Sequence, residues 1–148
     1  MKHGVKWVET PPVGLDRLPE SYFVLGIPVQ YNPAVDTIAQ SVGFLKKKIL
    51  IGNAWFRLSG VEQQAVLYHE AWHCLDFHLE KRLLLLPLCW TQWAQRIARK
   101  QEIDSDAYAA HVGYGEAMLR VIMRHQSGGP FYPSNKERIH ALKTLLAR

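Results

Sequence analysis

The stretch Ala65–His73, AVLYHEAWH, contains the pattern H-E-x-x-H at His69, Glu70 and His73. Side chains four residues apart lie on the same side of an α-helix, so a helix here presents both imidazoles to one point. Two imidazole nitrogens at about 2.0–2.1 Å from a shared Zn²⁺ are part of a recurrent type of zinc site, and the carboxylate between them can take a proton from water. The stretch therefore predicts a helix that carries a metal site, with Glu70 as the base.

The sequence around this stretch predicts a long helix. Ser59 and Glu62 form an S-x-x-E capping box, which indicates a helix start near Val61. No proline or glycine interrupts residues 61–83, and apolar or histidine side chains recur at spacings of three and four. We therefore expect one uninterrupted, largely buried helix that continues to about Leu83.

A catalytic zinc site usually has three protein ligands, so a third ligand is needed. The pattern H-E-x-x-H-x-x-G-x-x-H of the metzincins is absent, because Asp76 and Leu79 replace its glycine and its last histidine. His78 follows His73 by five residues and would point about 140° away from it on an unbroken helix. His111 stands where the next helical pattern ends, and it stays open as an alternative.

A second helical pattern supplies the preferred third ligand. Thr91 can cap this helix, and residues 92–111 are rich in good helix formers. Within it, Glu102 and Asp106 lie four residues apart and therefore on one face. We predict Glu102 as the third zinc ligand and Asp106 as a carboxylate that supports a ligating histidine through its second ring nitrogen.

Two other stretches are typical of β-strands. Residues 21–29, SYFVLGIPV, and residues 44–51, FLKKKILI, are rich in β-branched and aromatic side chains. The run Lys46–Lys48 within the second stretch favours an edge or rim strand over a central one. With the helices, these strands predict an α+β fold in which helix predominates.

The domain organisation follows from the remaining patterns. Residues 1–20 contain three prolines and predict an extended lead-in, and residues 21–148 predict a single domain. Further helices are expected at 116–124 and 137–146, with a turn at 127–130.

Composition limits the functional classes. The chain has 148 residues, of which 48% are hydrophobic and 21% are charged, as in ordinary globular domains. Cys74 and Cys89 form no C-x-x-C pattern and are expected to be free thiols in a reducing compartment. The N-terminus has no apolar run of signal-peptide length, so a cytoplasmic location is expected. The longest uninterrupted apolar stretch, Leu83–Trp90, can touch a membrane but is far shorter than the roughly 20 residues that cross one.

Three segments resemble the gluzincin metallopeptidases that include the CAAX prenyl endopeptidase and the bacterial heat-shock membrane protease. AVLYHEAWH and EIDSDAYAA resemble the paired segments H-E-x-x-H and E-x-x-x-D of that family, and FYPSNKERIHAL resembles its H-P-x-x-x-x-R stretch. The resemblance covers residues 27–146. It implies a small zincin-like domain whose short β-sheet packs on the H-E-x-x-H helix and on a second, glutamate-bearing helix, with FLKKKILI as the strand that rims the cleft and pairs with extended substrate.

The resemblance also implies an activity, namely hydrolysis of peptide bonds in a protein or peptide substrate by a zinc endopeptidase. In it Glu70 is the general base, and His69, His73 and Glu102 are the zinc ligands. The membrane-embedded members carry transmembrane helices between the two metal motifs. This chain has only residues 74–101 there, so it resembles a soluble, minimal form of the catalytic core.

Two further residues enter the expected site near the C-terminal segment. Arg138 would by the same resemblance lie near the metal and either position a carboxylate or polarise the substrate carbonyl, while a surface salt bridge is the ordinary alternative. Tyr132 stands where the family has a histidine. Its phenol can donate a hydrogen bond to a developing oxyanion, which makes it a candidate stabiliser.

Other functions are compatible with the same residues. The zinc site could be structural or vestigial in a basic binding or regulatory module. The net charge of +5 and Lys46–Lys48 would suit a weak anionic partner, and so a metallopeptidase associated with DNA. A latent form is a further alternative, in which the proline-rich N-terminus or the loop at 128–130 blocks the cleft.

Overall fold

The structure is a computed structural model, and it describes residues 14–126 and 129–148. The described residues form a mixed β-sheet and α-helices, so the predicted α+β class is confirmed. The strands are β1 (Tyr22–Val24), β2 (Ile27–Tyr31), β3 (Ala39–Val42) and β4 (Lys48–Ile51). The helices are α1 (Gly60–Leu75), α2 (His78–Leu84), α3 (Gln92–Ala109), α4 (Gly115–Arg124) and α5 (Asn135–Leu146).

The sheet has the strand order β1-β2-β4-β3. Its β2–β4 pair is parallel, and its two outer pairs are antiparallel. The prediction of one strand at 21–29 is wrong, because β1 and β2 form a hairpin there. Leu25 and Gly26 both have positive φ, at 50° and 78°, which is the backbone that a tight two-residue hairpin turn requires.

The prediction of an edge strand at 44–51 is also wrong. Only Lys48–Ile51 is strand, and it is central because it pairs with β2 on one side and β3 on the other. Ile49 and Ile51 are fully buried, which outweighs the preference of the neighbouring lysines for an edge. The rim strand is β3, a four-residue segment with two polar side chains and little strand signal of its own.

Helix α1 runs beneath the sheet and contacts α3 and α4 on its other side. It begins with the predicted capping box, in which the Ser59 N–H donates to Glu62 Oε2 at 3.0 Å. The described end of the lead-in packs on α1, since Leu15 and Gln63 exchange two hydrogen bonds of 2.9 Å. Residues 1–13 of the predicted lead-in lie outside the described residues. The core around α1 includes Trp55 and Leu67, both without exposed surface.

The expected continuation of α1 to Leu83 is wrong, because the helix ends at Leu75 and α2 begins at His78. Between them, Phe77 adopts a left-handed conformation with φ of 54°. Lys47 stabilises this break from the β3–β4 loop. Its ammonium donates to the Cys74 carbonyl at 2.5 Å and lies 3.7 Å from the centre of the Phe77 ring. A tertiary contact therefore ends the helix without any glycine or proline.

The three remaining predicted helices are confirmed to within about two residues. Helix α3 leads into a π-helical turn at Ala110–Tyr114, where Gly113 has φ of 97°. Helix α5 begins with a second capping box formed by Ser134 and Glu137. Of the predicted turn at 127–130, residues 127 and 128 lie outside the described residues. None of the described helices combines the length and apolar character needed to cross a bilayer.

Candidate metal centre

The structure brings His69 and His73 of α1 together with Glu102 of α3. One ligand atom from each lies within 4.8 Å of the other two, and all three residues are buried. The two histidine Nε2 atoms are 3.1 Å apart. Glu102 Oε2 lies 3.4 Å from Nε2 of His69, and Glu102 Oε1 lies 3.5 Å from Nε2 of His73. This cluster could hold a metal ion.

A carboxylate on the next turn of α3 orients the first histidine. Asp106 Oδ1 lies 2.8 Å from His69 Nδ1, and Asp106 is 2% exposed. Arg138 of α5 in turn donates from Nε and Nη2 to the two oxygens of Asp106, at 2.7 and 2.6 Å. The chain Arg138–Asp106–His69 thus fixes the His69 ring and turns its Nε2 towards Glu102. Of the two expected roles of Arg138, this geometry corresponds to the positioning of a carboxylate.

The second histidine is oriented by a residue that was expected to point away from it on an unbroken helix. His78 Nδ1 is 2.7 Å from His73 Nδ1, because the break at Phe77 turns the start of α2 back towards α1. The other ring nitrogen of His78 lies 2.8 Å from Asp76 Oδ2. His78 is therefore no ligand in this arrangement but a support for one. No local sequence signal marks the break, so the role of His78 could not be predicted.

Arg82 is another site residue that the sequence patterns did not reveal. It lies on α2, and its Nη2 donates to Glu102 Oε1 at 2.6 Å, while its Nε donates to Gln101 at 2.8 Å. Its guanidinium carbon lies 5.7 Å from the ring centre of Tyr132. Helical spacing within the sequence cannot predict the contact between Arg82 and Glu102, because the two residues lie on different helices. The path of the loop that joins these helices is set by packing.

The electrostatics of the cluster show how its buried charges are compensated. Burial lowers the pKa of His69, but hydrogen bonds with Asp106 and Glu102 raise it to about 9 overall. Burial likewise raises the pKa of Glu102, but the hydrogen bonds of its carboxylate to the two histidines hold it well below its usual range. The pKa of Asp106 is also lowered, because the bonds from Arg138 and His69 outweigh burial. The lowered pKa values mean that the carboxylates of Glu102 and Asp106 are charged at neutral pH, so these buried groups require cationic partners.

The cluster lies in a cleft of about 580 Å³. One wall is the rim strand β3, and the opposite wall is apolar and includes Met118 and Ile122 of α4. Glu70 lines the cleft beside the ligands, and its Oε2 accepts a hydrogen bond of 2.7 Å from the Ser41 N–H. In an antiparallel strand, alternate residues direct their backbone groups to the same side. The backbone groups of Ser41 and Ala39 therefore point away from β4 and towards the cleft.

The other expected residues lie in different surroundings. Tyr132 lines the cleft and is 45% exposed. His111 lies in the π-helical turn with an exposed side chain, outside the His–His–Glu cluster. The lysine run forms no single basic face, since Lys47 pairs with Glu80 at 2.9 Å and Lys48 donates to Gln30 at 3.1 Å. Both cysteines are free thiols.

Comparisons of the chain with protein-family models, with curated proteins and with solved structures found no match. The geometry of the site is therefore the basis for its chemistry. Two imidazoles and a carboxylate form a donor set for a divalent cation, and the ring orientations are fixed in advance. The cleft leaves one side of the cluster accessible, and Glu70 lies on that side.

Proposed function

We propose that this chain is a zinc-dependent endopeptidase of the gluzincin type. The observation that carries the proposal is the convergence of His69, His73 and Glu102. The two Nε2 atoms are 3.1 Å apart, Glu102 Oε2 lies 3.4 Å from that of His69, and Glu102 Oε1 lies 3.5 Å from that of His73. Ligands at about 2.0–2.1 Å from a tetrahedral zinc ion stand about 3.3 Å from each other. Two histidines and one glutamate with one open corner are also the donor set of a known class of catalytic zinc sites.

The orientation of the rings supports the same metal. Each histidine has its Nδ1 engaged, by Asp106 or by His78, so Nε2 is the nitrogen left for an ion. Such support of a ligating ring through its second nitrogen is usual in zinc sites. Mg²⁺ and Ca²⁺ prefer oxygen ligands, whereas imidazole suits zinc and its neighbours among the transition metals. We therefore expect zinc as the resident ion.

Glu70 supplies the proton transfers in this proposal. When bound, zinc would act as a Lewis acid and lower the pKa of a bound water to near neutrality. Glu70 lies at the cleft with Oε2 held by the Ser41 N–H, so the carboxylate has a fixed direction. It would take the proton from water and give it to the leaving amine. Its place on the rim of the cleft, beside the ligands, suits both transfers.

The substrate would be an extended peptide that lies along β3. The backbone groups of Ala39 and Ser41 face the cleft. Because Glu70 already accepts the Ser41 N–H, an extended chain would add to this edge through the Ala39 N–H and the Ser41 carbonyl. Tyr132 faces the same cleft and stays our candidate for the donor to the oxyanion. The apolar wall formed by α4 would receive an apolar side chain of the substrate.

The proposal is tested first by the variant Glu70→Gln. The glutamine preserves shape but cannot take up a proton, so we expect bound zinc to stay at one per chain and hydrolysis of an unfolded protein such as casein to fall by at least about 100-fold. Glu116→Gln, an exposed carboxamide substitution on α4, is the matched control and should keep full activity. Full activity in Glu70→Gln would exclude Glu70 as the base.

The metal assignment is tested by metal content. We expect one zinc per purified chain and its loss in Glu102→Ala, measured by elemental analysis. Asp104→Ala, two residues away on the same helix, should keep its zinc because Asp104 pairs with Lys100 at the surface and lies outside the cluster. Undiminished zinc in Glu102→Ala would contradict the ligand set. Zinc without any hydrolysis in the wild type would favour a structural site in a binding module.

A further inference from the structure

The segment Leu83–Gln95, which joins α2 to α3, contains no charged residue. We call it the uncharged tip. It places large apolar side chains in solvent, with Leu84 80% exposed and Trp90 74% exposed. The exposed apolar side chains are Leu83, Leu84, Leu86, Leu88, Trp90 and Trp93. An apolar surface of this kind is unusual in a monomer and marks an interaction site.

Basic side chains lie on both sides of the uncharged tip. Lys81 and Arg82 precede it, and Arg96, Arg99 and Lys100 follow it. All of them except Arg96 pair with a carboxylate, but Lys81 and Lys100 remain 47% and 73% exposed, and Arg96 is exposed as well. Tryptophan at a surface, leucines around it and exposed basic side chains at the margin are the combination that binds the interface of a bilayer with anionic lipids.

The backbone of the uncharged tip is also suited to an apolar environment. Several of its amides are paired within the tip itself. The Leu88 N–H donates to Leu85 at 2.9 Å, and the Cys89 N–H donates to Leu86 at 3.2 Å. The Thr91 N–H and hydroxyl both donate to the Leu88 carbonyl, at 2.9 and 2.7 Å. Because unpaired amides are costly in lipid, this internal pairing removes a main obstacle to insertion.

We propose that the uncharged tip inserts into the interfacial layer of an anionic lipid bilayer from one side. Such insertion would place the cleft close to the membrane surface. Helix α3 connects the two directly, since Gln92 starts it and Glu102 lies about ten residues, or about 15 Å, along its axis. The inference concerns a surface outside the metal site and requires no bound metal, so it stands or falls separately from the proposed peptidase activity.

The experiment is co-sedimentation of the full chain with phosphatidylcholine vesicles, with and without phosphatidylserine. We expect binding to the vesicles that contain phosphatidylserine, weakened by salt. The variant Trp90→Ser/Trp93→Ser should bind these vesicles at least about tenfold more weakly, because it removes two large apolar side chains. Phe23→Ser, at an exposed aromatic residue of β1, is the matched control and should bind like the wild type.

The lipid charge is tested with Arg96→Gln, whose side chain is exposed beside the uncharged tip. We expect about fivefold weaker binding to phosphatidylserine vesicles. Absence of wild-type binding to these vesicles would overturn the proposal, and so would equal binding by the double tryptophan variant. If the wild type instead forms a dimer in sedimentation velocity, and the double variant is monomeric, the uncharged tip binds a second copy and the lipid proposal is wrong. Unchanged unfolding midpoints would show that the variants are folded.

Discussion

Two regions of the molecule depart in opposite directions from the usual burial of apolar side chains and exposure of charged ones. They are the metal cluster on α1 and α3 and the uncharged tip between α2 and α3. The cluster buries charged and polar groups, and the uncharged tip exposes leucines and tryptophans. Both arrangements would be unfavourable in a protein that used neither. The two places where the ordinary rule of burial fails are the two places for which we propose a function.

The two regions differ in how their groups are compensated. Each carboxylate of the cluster has at least two partners within the fold, as Asp106 has His69 and Arg138. The large apolar side chains of the uncharged tip are 42–80% exposed and are not compensated in this way. Substitutions in the cluster should therefore reduce stability as well as metal binding, whereas substitutions of these exposed side chains should mainly change binding to a partner.

The largest effect is expected for Asp106→Ala. It leaves the guanidinium of Arg138, 11% exposed, and the Nδ1 of His69 without their carboxylate. We expect the free energy of unfolding to fall by about 3–5 kcal/mol, the usual cost of breaking a buried ion pair. Zinc affinity should fall by about 10–100-fold. Urea denaturation with and without zinc measures both.

The control for this variant is Asp104→Ala on the same helix. Asp104 pairs with Lys100 at the surface, and an exposed pair contributes less than about 1 kcal/mol. Equal losses in the free energy of unfolding would show that the buried Asp106 contributes no more to stability than a surface carboxylate does. The proposed difference between the cluster and the surface would then be wrong.

The next effect concerns the support of the second ligand. We expect His78→Phe to fill the same buried space but to release the Nδ1 of His73, which should lower zinc affinity by about tenfold. His78→Gln can still form a hydrogen bond and should recover part of the loss. Titration against a competing chelator gives the affinities. An unchanged affinity in both variants, with His111→Gln as the exposed control, would make His78 a packing residue only.

A buried carboxylate outside the cluster sharpens the comparison further. Burial raises the pKa of Glu62, but hydrogen bonds with Arg124 and Ser59 lower it to about 2, against 4.5 in its ordinary state. Because the folded pKa is the lower one, the interaction stabilises the fold above about pH 4.5 and is lost as the pH falls towards 2. Glu62→Gln should cost about 1–2 kcal/mol at pH 7 and progressively less as the pH falls through 2, measured by urea denaturation. A difference that does not shrink between pH 4.5 and pH 2 would contradict this origin.

The smallest effect is expected in the uncharged tip. Because Leu84 and Trp90 are exposed, Leu84→Ser/Trp90→Ser should change the free energy of unfolding by less than about 0.5 kcal/mol. Leu142→Ala, at a buried position of α5, serves as the contrast and should cost about 2–4 kcal/mol. Thermal or urea unfolding in the absence of lipid compares them. A large loss in the double serine variant would mean that these side chains pack within the fold.

The His–His–Glu cluster could be predicted because its signals are local and periodic. His69 and His73 are one helical turn apart, and Glu102 and Asp106 are one turn apart on another helix with a clear cap. Helix spacing alone puts each pair on one face. Helix spacing does not show that the two faces contact each other. However, buried histidines and carboxylates need polar partners, and each face is the natural partner of the other.

The parts that sequence patterns did not reveal depend on contacts between distant residues. The break at Phe77 is stabilised by Lys47, about 30 residues earlier in the chain, so α2 and with it His78 and Arg82 could not be located. The lysine run predicted a rim strand at 44–51, but the buried isoleucines of that stretch place it in the centre of the sheet, because β-propensity reflects burial and packing more than backbone preference. The short segment Ala39–Val42 carries little strand signal, yet it forms the edge at the cleft.

The spacing of the ligands has a consequence for the folding thermodynamics of the chain. A metal ion held by His73 and Glu102 would close a loop of about 30 residues, and the chain-entropy relation for a covalent cross-link of that length gives about 3–4 kcal/mol. The ion would then do for this chain what a disulfide does for a secreted domain, but a chelator could reverse it. The loop that the ion would close contains the whole uncharged tip. Metal binding would therefore restrict the unfolded conformations of the segment that we propose to bind the membrane.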